Sequence, residues 1–285
     1  MSIIVVFVLF AGNDVCTIFR YVASHLKQQI LRVGPETVFA VVFDGGTDFT
    51  ATEPMIQQMW PWISFTHCSS HEVSLIMKDC FKEDGDIREL SDLNEWITDA
   101  QHWFSTHAMK GLIQQLAQPG ESKTFIWPAC TRYCGTLLKI KRFREMRELL
   151  RRVVSSGVYV EKNFKEDPIK SKVLAAEMWS LMDKVIKIMG PLLLLCRLAD
   201  GQKPVMSKLY GTQLYVREKI ESVAEESAIG SVERKISAVF LTRWKEMQSD
   251  IVSATYCLEP LFVDNSKNAA GCIIKLWQLA RKVTD

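Results

Sequence analysis

Three residues in this sequence have the types and spacing of a working site: Asp44, Cys68 and His71. Asp44 closes the run Thr37-Val38-Phe39-Ala40-Val41-Val42-Phe43, a mostly apolar, β-branched-rich stretch that predicts a strand buried on both faces. An acid in that place lies at the strand's carboxyl end, where open α/β sheets put their chemistry. An Asp before Gly45-Gly46 is also an ordinary turn former, and that reading stays open on the residues alone. Cys68 and His71 stand at i and i+3, so they share one face near the start of a predicted helix. Such a pair offers two of the four ligands a structural zinc needs, with Cys130, Cys134 and His67 as further donors. Neither half has zinc-finger spacing around it, which favours the plainer reading: Cys68 packs in the core and His71 makes a supporting hydrogen bond.

Other chemistry-bearing patterns are few. His102 and His107 are five apart, do not share a helical face, and read as surface or core-edge residues. The chain has no Gly-rich phosphate loop, no Ser-His-Asp order and no His-Glu-x-x-His. A basic stretch does appear: Lys139, Lys141, Arg142, Arg144, Arg147, Arg151 and Arg152, with Arg132 just before it. On one helix these cations could follow a phosphate backbone, and six such contacts would lose roughly a thousandfold in affinity between 50 and 200 mM salt. Glu145 and Glu148 interrupt the stripe and Arg144–Glu148 is an i,i+4 pair, so a solvated helix face is the favoured alternative.

The elements that must position these residues follow from the apolar pattern. Ile3 to Phe10 predicts a buried strand, too short for a membrane span and without the leading basic residues of a signal peptide. A helix capped by Asn13 or Asp14 runs to about Leu31 and stops at Gly34-Pro35. The strand 37–43 follows, so residues 3–43 form a strand–helix–strand unit, parallel if the strands are neighbours. A helix over 50–60 has Pro54 within its first turn, a strand covers 62–66, and the Cys68 helix continues to about Phe81. A helix over 88–117 and a loop at Pro119–Ser122 come next, then Thr124–Trp127 as a strand or an extended strut. From Thr136 the pattern turns all-helical, over 136–155, 171–189 (stopped by Gly190-Pro191), 205–226, 230–257 and 268–283, with Leu192–Leu198 buried. The domain boundary therefore belongs near residue 135.

Composition agrees with that plan. A chain of 285 residues with 48% hydrophobic and 24% charged residues can bury a sizeable core. A net charge of +2 is too small to argue for nucleic acid on its own. The 8 cysteines are dispersed and mostly set in apolar stretches, the pattern of reduced thiols in an intracellular protein.

The order of motifs resembles the core of hAT-superfamily transposases, and most closely the transposase-like domain of unknown function found in hAT-derived proteins. The matching residues are Val33-Gly34, Val41-Val42-Phe43-Asp44, Thr66-His67-Cys68-Ser69-Ser70-His71 and Thr131-Arg132-Tyr133. Further along come Pro191-Leu192-Leu193, Arg197-Leu198-Ala199-Asp200-Gly201, Pro204, Arg243-Trp244 and Leu258-Glu259-Pro260. The resemblance implies an α/β plus all-α protein: a truncated RNase-H-like mixed sheet with helices, residues 1–135, then an all-α insertion domain, 136–285. It implies strand transfer by three carboxylates on two Mg²⁺ or Mn²⁺ ions, with Asp44 matching the second acid and the Cys68–His71 helix buttressing it. The first acid belongs on an earlier strand upstream of this sequence, and the third, a Glu, after about residue 260, where none stands; Glu259 is the last.

The sequence departs from the family's Asp-Asn with Gly45-Gly46-Thr47-Asp48, and has Tyr133 where the family prefers Trp. With one acid of three, the expectation is a nuclear, transposon-derived protein that has lost catalysis and needs no cofactor by itself. It retains at most binding to DNA, through Arg132, Tyr133, Lys139, Lys141 and Arg142, or to protein, including its own copies. The alternatives are a metal-dependent transposase or nuclease completed by other sequence, and a helical interaction scaffold without nucleic acid.

Overall fold

The computed structural model describes residues 4–7, 15–43, 47–127, 134–161, 168–200 and 205–259. The described strands are all parallel, where the resemblance implies a mixed sheet. β1 (Ile4–Phe7) pairs with β2 (Val38–Phe43), and β2 with β3 (Ser64–His67), so β2 is the middle strand. α1 (Val15–Val33) joins the first pair and α2 (Thr47–Met59) the second. The expected strand–helix–strand unit is therefore present, and it repeats once. In the β2–β3 register, Val41 lies opposite Phe65 and Phe43 opposite His67.

The residues explain the packing. Val22, Leu26 and Ile30 recur every four residues on α1 and are buried with Val38, Val41 and Phe43 of β2 and Ile56, Trp60 and Ile63. Gly34, at φ 100°, ends α1 in a conformation that favours glycine, and its N–H donates to the Ile30 carbonyl at 3.0 Å. Trp62 Nε1 then donates to the Pro35 carbonyl at 3.2 Å, holding the start of the third-strand segment to the turn before β2. α2 begins at Thr47 rather than near residue 50, which places Pro54 in the helix interior and costs one backbone hydrogen bond there.

The remaining described elements are helices: α3 (Ser69–Cys80), α4 (Arg88–Phe104), α5 (His107–Leu116), α6 (Gly135–Glu145), α7 (Arg147–Ser155) and α8 (Gly157–Glu161). α9 (Pro168–Leu174), α10 (Glu177–Ala199), α11 (Met206–Glu225), α12 (Val232–Met247) and α13 (Asp250–Cys257) follow. Thr124–Trp127 is an unpaired strut. The helix expected over 268–283 lies outside the described residues.

Several expected helices are divided. The 88–117 stretch breaks at Ser105-Thr106, where the Thr106 hydroxyl donates to the Trp103 carbonyl at 2.9 Å and Thr106 itself is extended. The 136–155 stretch breaks at buried Met146, whose N–H is shared between the Arg142 and Phe143 carbonyls, both at 3.2 Å. The 230–257 stretch breaks at Ser249, which is extended and opens α13. One expected stop is absent: α10 runs through Gly190-Pro191. Val185, Ile188, Met189, Leu192, Leu195 and Cys196 form one buried face along it. That burial outweighs the roughly 3 kcal/mol cost of an interior proline.

The chain divides into two compact units. One holds Met1–Val73, Leu194–Val216 and Leu241–Asp285, the other Ser74–Leu193 and Arg217–Phe240; residue 135 lies within the second. The first is built on the parallel sheet. The second packs around rings: Trp96 meets Phe143 at 5.4 Å and Trp179 at 6.1 Å, and Phe143 stacks on Trp179 at 5.7 Å.

Candidate functional site

Asp44, Arg132 and Tyr133 lie outside the described residues, as does Cys130. The structure describes the strand that precedes Asp44 in the chain. β2 ends at buried Phe43, whose carbonyl accepts the Cys68 N–H at 2.7 Å. The ring of Phe43 lies 4.6 Å from the His67 imidazole and 6.1 Å from the Phe65 ring. Cys68, immediately before α3, thus ties the start of that helix, with His71 in its first turn, to the carboxyl end of the middle strand. Cys68 is half-buried, with Sγ 3.1 Å from Ser70 Oγ. His71 is half-buried and makes no hydrogen bond to another described residue, so the supporting bond expected of it is not found there.

Other residues do the tying. Glu72, at 2% exposure, sets Oε1 3.3 Å from His67 Nδ1, while its Oε2 has no partner among the described residues. The nearby Glu72 carboxylate is the largest cause raising the His67 imidazole above its ordinary 6.5; burial opposes it, and the charges of Glu72, Glu246 and Glu53 add to it. Buried Ser69 accepts from Gln213 Nε2 at 3.0 Å, and the same nitrogen reaches the Met247 carbonyl at 3.4 Å. α11 and α12 thereby fasten the start of α3. Sequence reasoning missed Glu72 and Gln213, and gave Ser69 no role beyond its place in the motif. An acid in a helix's first turn reads as a partner of the helix dipole, and nothing local marks it as buried.

Among the described residues no three His, Cys, Asp or Glu side chains converge to hold a metal ion. At this sheet end Glu72 faces His67, and Glu53 accepts from Gln57 Nε2 at 3.2 Å. Cys134, the described member of the composite zinc set's second pair, is buried at the turn into α6, with φ 58°.

The basic stretch is arranged differently from a phosphate-tracking helix. Lys139 is 5% exposed, and its Nζ donates to Thr98 Oγ1 at 2.8 Å and to the Asn94 carbonyl at 3.4 Å. Burial pushes this ammonium down to about 8. The expectation that Lys139 contacts phosphate is corrected: the side chain lies on the core face, four residues before Phe143. Arg142 donates to Glu145 at 3.1 Å and to the Thr124 carbonyl at 3.2 Å. Arg144 makes two bonds to Asp183, at 2.6 and 3.0 Å. Arg147 lies 5.7 Å over the Trp179 ring, Arg151 reaches the Leu174 carbonyl at 3.4 Å, and Arg152 pairs with Glu121. Lys141 alone of the stretch is exposed with no partner among the described residues. No helix among the described residues is long and apolar enough to cross a membrane.

No family model matches this sequence, and no curated protein matches it.

Proposed function

We propose that this chain is a hAT-transposase-derived, RNase-H-like protein that does not cut or join DNA by itself and acts by binding, in a nuclear setting. One observation carries the reading. The Cys68–His71 helix begins against the end of the middle parallel strand, through the 2.7 Å bond from Cys68 N–H to the Phe43 carbonyl. That is the juxtaposition the motif order calls for, with Asp44 next in the chain.

The loss of catalysis follows from charge. A two-ion centre needs several carboxylates converging to neutralise both ions and fix their geometry. Asp44 supplies one; of the carboxylates described near that end of the sheet, Glu72 faces His67 and Glu53 accepts from Gln57. The purified chain with Mg²⁺ or Mn²⁺ and linear or hairpin DNA is expected to show no cleavage above an Asp44→Ala control. Metal-dependent cleavage that disappears in Asp44→Ala overturns the reading.

A second reading, a helical scaffold that binds protein only, is favoured by the internal use of Arg142, Arg144, Arg147, Arg151 and Arg152. Binding of DNA at 50 mM salt separates the two.

A further inference from the structure

We infer that Trp127, with His102 beside it, is a stacking platform for an unpaired base of single-stranded nucleic acid. The inference rests on the nucleic-acid arm of the proposal above and gives it a place on the molecule.

Trp127 is 48% exposed, although a single exposed apolar residue needs no special account. What distinguishes this one is how firmly it is presented. Phe125, two residues earlier, sits 5.9 Å from Phe143 in a stacked arrangement and 6.3 Å from Phe104. The Thr124 carbonyl accepts from Arg142 at 3.2 Å, and the Ile126 carbonyl from buried Gln101 at 3.3 Å. Side chains from α4 and α6 therefore fix the strut on both sides of Phe125, and the indole that follows is preorganised at little further entropic cost. The exposed imidazole of His102 lies 4.9 Å from the Trp127 ring at 54°, so two flat groups meet at one surface.

The surrounding charge decides what kind of flat ligand contact this is. Asp99 stands one turn before His102 on α4, and Glu145 occupies Arg142. Carboxylates there oppose a phosphate-lined track, and most of the arginines on α6 and α7 are engaged within the protein. An indole face, in contrast, accepts any base, because every base has a π face. Lys141, beside the residue whose guanidinium rests on the strut, and Lys123, just before the strut, are exposed cations with no partner among the described residues, and either can meet a neighbouring phosphate. The geometry thus suits binding that depends on stacking more than on charge.

The test is fluorescence anisotropy of a labelled oligothymidylate and of a labelled duplex, titrated with the full chain and its Trp127→Ala, Trp127→Phe and His102→Ala variants. Stacking of one base predicts a loss of roughly ten- to a hundredfold in single-strand affinity for Trp127→Ala. Trp127→Phe should retain most of the affinity and His102→Ala lose less than Trp127→Ala. The slope of log affinity against log salt should be shallow, about −1, and unchanged by Trp127→Ala. Trp127 is exposed, so thermal midpoints of the variants should match the parent and separate a binding loss from unfolding. Single-strand binding that is intact in Trp127→Ala overturns the platform and leaves the proposed function standing. An equal loss for duplex and single strand also overturns it. No binding to either probe overturns both the platform and the nucleic-acid arm of the proposal.

Discussion

Arg144 and Asp183 face each other fork to fork, Nε to Oδ1 at 2.6 Å and Nη2 to Oδ2 at 3.0 Å. The bond joins α6 to α10 across 39 residues of sequence. It raises the already high value of the guanidinium, through the Asp183 hydrogen bond first and opposed by burial. A cation held this way by a carboxylate is a fastener between helices, and Arg152 with Glu121 does the same for α7 and the loop before the strut.

A double-mutant cycle checks the fastening. Both partners are partly exposed, so bidentate geometry is worth about 1 kcal/mol of coupling and no more. Arg144→Ala and Asp183→Ala should each lower the denaturation midpoint, with the double variant less than additive. The coupling should shrink in 1 M salt. Additive losses would remove the claim that Arg144 serves the fold, and would return it to the pool of cations open to a phosphate.

The His67–Glu72 pair predicts how the first unit responds to pH. The imidazole's folded value is raised above 6.5 by the Glu72 carboxylate. The stabilisation is therefore complete below about pH 6.5 and is lost as pH rises through the folded value. Urea midpoints should fall as pH climbs from 6 toward 8, and His67→Gln should flatten that fall. Glu72→Gln should flatten it too, since the neutral amide removes the charge that holds the proton. A parent protein with no slope across this window would show that the pair does not titrate as a unit.

The strands could be read from the sequence because they are short apolar runs bounded by Gly34-Pro35 and Gly45-Gly46, and because Val22, Leu26 and Ile30 mark the covering helix; the all-parallel pairing of the described strands differs from the mixed sheet that the resemblance implied. The helix breaks could not. Ser105, Thr106 and Ser249 end helices through local hydroxyl and backbone bonds that look like any polar interior position in a one-dimensional pattern. Gly190-Pro191 misled in the opposite direction, since a strong local stop gave way to a continuous buried face. At the candidate site, the attachment of α3 to β2 followed from motif order. The buried Glu72 and the Gln213–Ser69 bond come from tertiary packing of residues up to 144 apart in sequence. Lys139 was legible after all: it falls on the same helical spacing as Phe143 and Met146, and the run of neighbouring cations masked that.

Lys139 carries the last prediction. Its ammonium is buried with no carboxylate partner among the described residues and is bound by Thr98 Oγ1 and the Asn94 carbonyl. Burial lowers its folded value to about 8 from an ordinary 10.5. Between those values the unfolded chain holds more of the proton than the folded one. Stability should therefore rise as pH goes from about 8 toward 10.5, with the full burial cost present below 8. Lys139→Met removes that rise, and at pH 7 should leave the urea midpoint unchanged or higher. The thioether side chain fills similar space, and Thr98 Oγ1 keeps its own bond to the Asn94 carbonyl at 2.7 Å. Nucleic-acid affinity should not change, whereas Lys141→Ala should reduce the magnitude of the salt slope by about one. If Lys139→Met instead weakened nucleic-acid binding while leaving the urea midpoint alone, the lysine would have to reach a phosphate, and its placement against α4 would be wrong.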